Sequence, residues 1–245
     1  LTLGGVDLVD MHEAFAAQVL AILKMLGSDA FAIVADAGGA IHGFNGSGRS
    51  PSAWSPEHFA GRERMPFVGA DSVTVPGAVD TWVRLSERFG QLPFARLFQA
   101  AIDYAREGDP VSPIVAATWP FAASLYGEHN ELGAFRETFL PGGRAPAAGE
   151  RFRYGAMADP LEEIAATRGE SFYRGPLAVK IAGEIQRLGG VMTEGDLGAH
   201  QGEWVEVPID PRVPYLSLIH ISAPTRPRRS SYAVFCLKKK RGGGG

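Results

Sequence analysis

A chain of 245 residues and 26.1 kDa is long enough for one large domain or two small ones around a sizeable core. At 45% hydrophobic and 21% charged residues it has an ordinary globular composition, which excludes disorder, collagen and coiled coil. No apolar run reaches the roughly 18 residues needed to cross a bilayer, so no membrane partner is expected. Seven of the 24 basic residues and none of the 27 acidic ones lie in residues 213–245, which leaves 17 against 27, a net −10, over residues 1–212. An acidic body repels phosphate backbones and predicts no nucleic-acid partner. The single cysteine, Cys236, sits in the basic tail, so the body has no disulfide framework and no thiolate metal site.

In chain order, Ala30 to Asp36 and Ala40 to Phe44 read as two short strands joined by a turn at Ala37-Gly38-Gly39, a hairpin. Asn45-Gly46-Ser47-Gly48-Arg49-Ser50-Pro51 follows as a glycine-rich loop, and Pro51 to Ala70 as further loop with a helical turn near Pro56 to Phe59. From Val79 the period becomes 3.6: Val79, Trp82, Val83 and Phe89 share a face between Pro76-Gly77 and Gly90. A second helix is expected from Pro93, with Phe94, Leu97, Phe98, Ala101, Ile102 and Ala105 inward and Gly108 behind it. Val115 to Tyr126 reads as a helix broken at Pro120, and Pro141 to Gly149 as surface loop. Asp159, Pro160 and Glu162 have the pattern of a helix start with a capping box. After a turn at Phe172 to Gly175, Pro176 opens a helix with Leu177, Ile181, Ile185 and Leu188 on one stripe, ended by Gly189-Gly190. Thr193 and Asp196 cap a short turn, and Trp204 to Ile209 alternates as a strand.

Chemistry is sparse. His12, His42, His58, His129, His200 and His220 show no metal-ligand spacing, and no P-loop, dinucleotide fingerprint, HExxH or GxSxG is present, so no metal and no cofactor is expected. Asp71-Ser72 and Glu203 have no spacing that ties them to a histidine in a triad. The loop at Asn45 to Ser50 is the segment with a chemical use: backbone N–H groups, the Ser47 hydroxyl and Arg49 can converge on a carboxylate or carbonyl oxygen. Residues 213–245, with a lysine run and a four-glycine end, are similar to translated sequencing-adapter DNA and are expected to be a non-native, disordered tail.

The order of segments resembles the gamma-glutamyltransferase family. The strings that carry this are Gly27 to Val34, the loop Asn45 to Pro51, Ser72 to Val79 with Trp82, Arg88-Phe89-Gly90-Gln91-Leu92-Pro93, Ala101 to Gly108, Phe172-Tyr173-Arg174-Gly175, and Gly189 to Thr193 with Asp196-Leu197. Coverage runs from Gly27 to Ile209, within a large-chain fragment of residues 1–212 whose residues 1–24 are atypical. The resemblance implies an α/β fold, part of the α-β-β-α sandwich of an N-terminal nucleophile hydrolase and mostly the helical lobe of its large chain. It also implies a precursor that cuts itself, and a partner small chain from that precursor whose N-terminal threonine is the nucleophile, with its own α-amino group as base. None of Thr2, Thr74, Thr81, Thr118, Thr138, Thr167, Thr193 and Thr225 is followed by histidine, as the family's cleavage site would require, so no catalytic residue is expected within this chain. The substrate is expected to be a small-molecule gamma-glutamyl amide such as glutathione, bound through Asn45, Ser47 and Arg49. Gamma-glutamyl enzymes carry an arginine where Ser47 stands here, and the Asn-Gly-Ser-Gly-Arg-Ser-Pro form is similar to the amidohydrolase-like branch. An oxamate-like amide is the alternative substrate, and a non-enzymatic acidic helical binding domain the alternative class.

Overall fold

The computed structural model describes residues 31–36, 40–66, 68–126 and 133–206. Residues 1–24, the turn at 37–39, His12, His129, His220 and the tail 213–245 with Cys236 lie outside them, as do the expectations attached to those positions. The chain divides into two compact units, each with its own architecture. The first, from Ile33–Phe44 and the described residues from Trp204 on, is a three-stranded sheet in the order β1 (Phe31–Ala35), β2 (Ile41–Asn45), β5 (Glu203–Val205). The expected hairpin is present as adjacent strands, closed by Asp36 N–H donating to the Ala40 carbonyl at 2.9 Å. The Asp36 carboxylate accepts from Ala40 N–H and faces His42 Nε2 at 3.0 Å. Phe44 is 1% exposed, and its ring meets Trp204 edge-on at 4.9 Å.

The second unit, Asn45–Glu203, is mainly helical. Helix α1 (Ala78–Phe89) forms where the 3.6 period predicted it, burying Val79 and packing Trp82 and Val83 on the core. The next apolar stretch opens as a 3-10 turn, Phe94–Phe98, before α2 (Gln99–Glu107). Phe98 meets Phe94 at 4.9 Å and Trp82 at 5.9 Å. These rings fill the space that Leu97 was expected to share, and Leu97 stays half exposed. Helix α5 (Gly155–Thr167) lies against α2, and α6 (Glu170–Arg174), α7 (Pro176–Arg187) and α8 (Glu194–Gly198) complete this core. Leu177 and Ile185 of the α7 stripe are buried, with Ile181 and Leu188 at its margin.

Helix α5 corrects the expected start at Asp159. It begins a full turn earlier, with Asp159 and Pro160 inside it, because Ala158 is buried to 1% and Met157 packs beside it on the large core. Burial of that extra turn outweighs the missing Pro160 N–H, and Asp159 and Glu162 reach Arg106 instead of capping. The turn expected at Phe172 to Gly175 is the short helix α6, while Pro56 to Phe59 forms hydrogen-bonded turns and no helix.

A second, smaller cluster joins α3 (Pro113–Tyr126), α4 (Gly133–Phe139) and an antiparallel pair of two-residue strands, β3 (Asp109–Pro110) and β4 (Arg151–Phe152), which sequence periodicity did not reveal. Helix α3 runs through Pro120 instead of breaking there. Trp119 anchors it: the ring is buried and its Nε1–H donates to the Phe139 carbonyl at 2.9 Å. Pro141 to Gly149 is surface loop with one 3-10 turn, as expected.

Candidate functional site

The glycine-rich loop is fixed onto the helical core at three points. Val75 N–H donates to the Arg49 carbonyl at 3.0 Å. A Cβ on Gly48 would stand 1.4 Å from the Val75 carbonyl oxygen, and one on Gly77 would stand 1.6 Å from that of Gly46, so both close approaches of backbone to backbone require glycine. At the exit of the loop, Ser52 N–H donates to Asp196 Oδ1 at 2.8 Å. Asp196 is itself locked in the capping box anticipated from the sequence: Thr193 Oγ1 accepts from Asp196 N–H, and Thr193 N–H donates to Asp196 Oδ2. Burial alone would raise the Asp196 carboxyl; the hydrogen bonds from Ser52 and Thr193 together outweigh it and hold the group below its usual range.

Within this frame the three expected binding residues take different parts. Asn45 Oδ1 accepts from Ser47 N–H at 3.0 Å, so the Asn45 carboxamide shapes the loop and the Ser47 amide is already occupied. The expected convergence of free backbone N–H groups is therefore reduced by this one. Ser47 is half-buried. Arg49 is exposed, and its guanidinium forms no ion pair or hydrogen bond among the described residues.

The floor under the loop is a polar cluster that sequence reasoning missed. Tyr173 donates its hydroxyl to the Pro76 carbonyl at 2.8 Å and accepts from Asp80 N–H at 3.0 Å, so it ties the segment before α1 to the first turn of that helix. Burial pushes the Tyr173 hydroxyl far up, and it stays protonated. His200, 5% exposed, stacks on the Tyr173 ring at 5.1 Å and 20°. Its Nε2 is buried without a hydrogen bond and lies 3.8 Å from Asp80 Oδ2, which accepts from Gly202 N–H at 2.7 Å. Burial holds the imidazole below its ordinary range; Asp80 opposes this, and Arg49 and Arg174 add to it. The sequence signal available was a lone histidine after a capped turn, and nothing local marks such a histidine as buried.

Two other polar groupings do less. Asp71 receives His58 Nε2 at 2.9 Å and Arg62 at 2.8 Å, but the Ser72 hydroxyl donates to the Gly69 carbonyl, so this His–Asp pair does not engage Ser72. A depression of about 320 Å³ between α1 and the α5–α6 turn is lined by Asp80, Arg84, Glu87, Arg168, Glu170 and Arg174. Each arginine there is already paired with a carboxylate, which leaves no cation for an anionic ligand.

The sheet and helical lobe are part of the α/β fold of the N-terminal nucleophile hydrolases. The chain is similar to the cephalosporin acylase from Bacillus halodurans, with a TM-score of 0.72 at 40% identity over 80% of this chain and 38% of that one. The gamma-glutamyltranspeptidase family matches residues 13–234, and the chain belongs to that family, which is one of enzymes. It is 36% identical over 177 residues to the glutathione hydrolase-like YwrD proenzyme of Bacillus subtilis, covering 67% of this chain and 31% of that protein. It is 37% identical over 206 residues to the oxamate amidohydrolase proenzyme of Klebsiella pneumoniae, covering 81% and 38%. The chain thus spans about a third of the length of the curated relatives it matches.

Proposed function

We propose that residues 1–212 form the front of the large chain of a gamma-glutamyltransferase-like enzyme, in which the loop Asn45 to Pro51 receives the carboxylate of a small amide substrate and Arg49 supplies the charge. The observation that carries this reading is a guanidinium without an ion pair among the described residues, on a loop clamped at three points. A clamped backbone removes the loop's share of the ordering cost of anion binding, which leaves only the rotamer freedom of the arginine side chain to be lost.

The nucleophile belongs to a small chain cut from the same precursor. Its N-terminal threonine hydroxyl adds to the amide carbonyl, its α-amino group takes the hydroxyl proton and gives it to the departing amine, and the acyl group passes from the threonine to water or to an acceptor amine. The residues described here bind and orient; they do not react. A small oxamate-like amide is favoured over a gamma-glutamyl amide by Ser47, which gives one neutral hydrogen bond where a second arginine would hold an α-carboxylate.

Assays of the complete protein expressed from its parent reading frame test this. Hydrolysis of oxamate with a higher kcat/KM than that of a gamma-glutamyl anilide is expected, and the 245-residue chain alone is expected to turn over neither. Turnover by purified residues 1–245 above a heat-killed control contradicts the reading.

A further inference from the structure

Resting on the anion-binding reading of the loop, we propose that His200 is a proton-linked positioning residue: a carboxylate held by Arg49 lets the His200 ring take up a proton and close its 3.8 Å gap to Asp80, so that anion capture and protonation assist each other. The geometry supplies each part. The ring is held flat on Tyr173, and its Cε1 lies 3.1 Å from the position of a Cβ on Gly77, whose backbone in turn presses on the Gly46 carbonyl of the loop. Nε2 is buried with no hydrogen-bond partner, a state that costs free energy until a partner is gained. The acceptor nearby is Asp80 Oδ2, less than 1 Å beyond hydrogen-bonding distance.

The charged and titratable groups around the ring come from every element packed on it. Asp80 comes from α1, itself tied to Arg84. Tyr173 and Arg174 come from α6 and Arg49 from the loop, while Asp196, on the helix just before the histidine, is engaged by Ser52 and Thr193. Burial opposes the imidazolium most, Asp80 favours it, and Arg49 and Arg174 oppose it further. An anion on Arg49 cancels one of the two opposing charges, so that Asp80 works against burial and Arg174 alone. By linkage, whatever the anion does for the proton, the proton does for the anion.

The direct test needs no ligand. Histidine side-chain NMR of the 245-residue chain follows the His200 ring across pH 4 to 8 in the parent protein and in Arg49→Gln, a substitution at an exposed position. An upward displacement of the His200 titration in Arg49→Gln is expected, and coincident titrations overturn the proposal. A second arm measures sodium oxamate binding by calorimetry from pH 8 to pH 5. Affinity is expected to rise about fivefold as the ring becomes protonated, and to lose this rise in His200→Asn. A pH-independent affinity in the parent protein also overturns the proposal. Absence of oxamate binding at every pH contradicts the anion-binding reading of the loop and with it proton-linked capture, while the Arg49→Gln arm still decides whether the two charges communicate.

Discussion

The two hydrophobic clusters of the helical unit differ in how much of each is made of rings. The larger one combines the rings of Phe94, Phe98 and Tyr173 with many aliphatic side chains and alanines, such as Ala178, Ala182 and Ile185 on α7 and Ile102 and Ala105 on α2, and it leaves Met192 and Leu197 with no exposed surface. The smaller one is a stack of rings: Trp119, Phe135, Phe139, Phe152 and Tyr154 meet at centroid distances between 4.8 and 6.3 Å. Small aliphatic contacts let helices approach closely and fix backbone positions, which is what a loop clamped to a core needs. Rings bury much area with few residues, so this cluster can hold α3 across Pro120, while Ile114 and Phe121 on the same helix remain more than two-thirds exposed. The clamped loop belongs to the first cluster alone, since Val75 and Leu197 of that core flank its anchors at Arg49 and Ser52.

Truncation in the larger cluster should have the greatest effect. Leu197→Ala removes a fully buried side chain beside Asp196 and is expected to cost about 2–5 kcal/mol by urea denaturation. Trp119→Phe in the smaller cluster keeps a ring but takes the indole donor from the Phe139 carbonyl, and about 1–3 kcal/mol is expected. Equal losses at the two sites would erase the distinction between the clusters.

The glycines sharpen the contrast. Gly77→Ala forces a methyl group onto the Gly46 carbonyl and should cost about 1–3 kcal/mol, displacing the loop as it does so. Gly133→Ala in α4 meets nothing among the described residues and should stabilise by about 0.4–1 kcal/mol. Thermal denaturation of the two variants side by side reads both signs.

A pH effect separates the regions further. His200 is held below its ordinary range in the folded chain, so the folded state resists a proton that the unfolded chain accepts. The stability from keeping the ring neutral is therefore present above about pH 6.5 and is lost as pH falls through the depressed folded value. Denaturation midpoints between pH 7.5 and 5 should fall in the parent protein and fall less in His200→Asn.

Periodicity made the larger cluster legible. The faces of α1, α2 and α7 and the Thr193–Asp196 box could be read because each depends on residues a few positions apart. It misled where tertiary burial overrode a local signal, as at Asp159 and at Pro120, and it could not show β3 and β4, whose pairing spans about forty residues. The candidate site divides the same way. The loop and Arg49 stood out through composition, whereas the Tyr173–His200–Asp80 floor joins residues from three distant parts of the chain and leaves no local pattern.

The central claim is that the larger core holds the loop so that Arg49, and not Ser47, meets the substrate's carboxylate. Steady-state kinetics of the complete enzyme on its best amide substrate test it most directly. Arg49→Ala is expected to lower kcat/KM by about 1.5–3 kcal/mol, the worth of a hydrogen bond to a charged group, and Ser47→Ala by about 0.5–1.5 kcal/mol. An Arg49→Ala enzyme with unchanged kcat/KM would contradict the account.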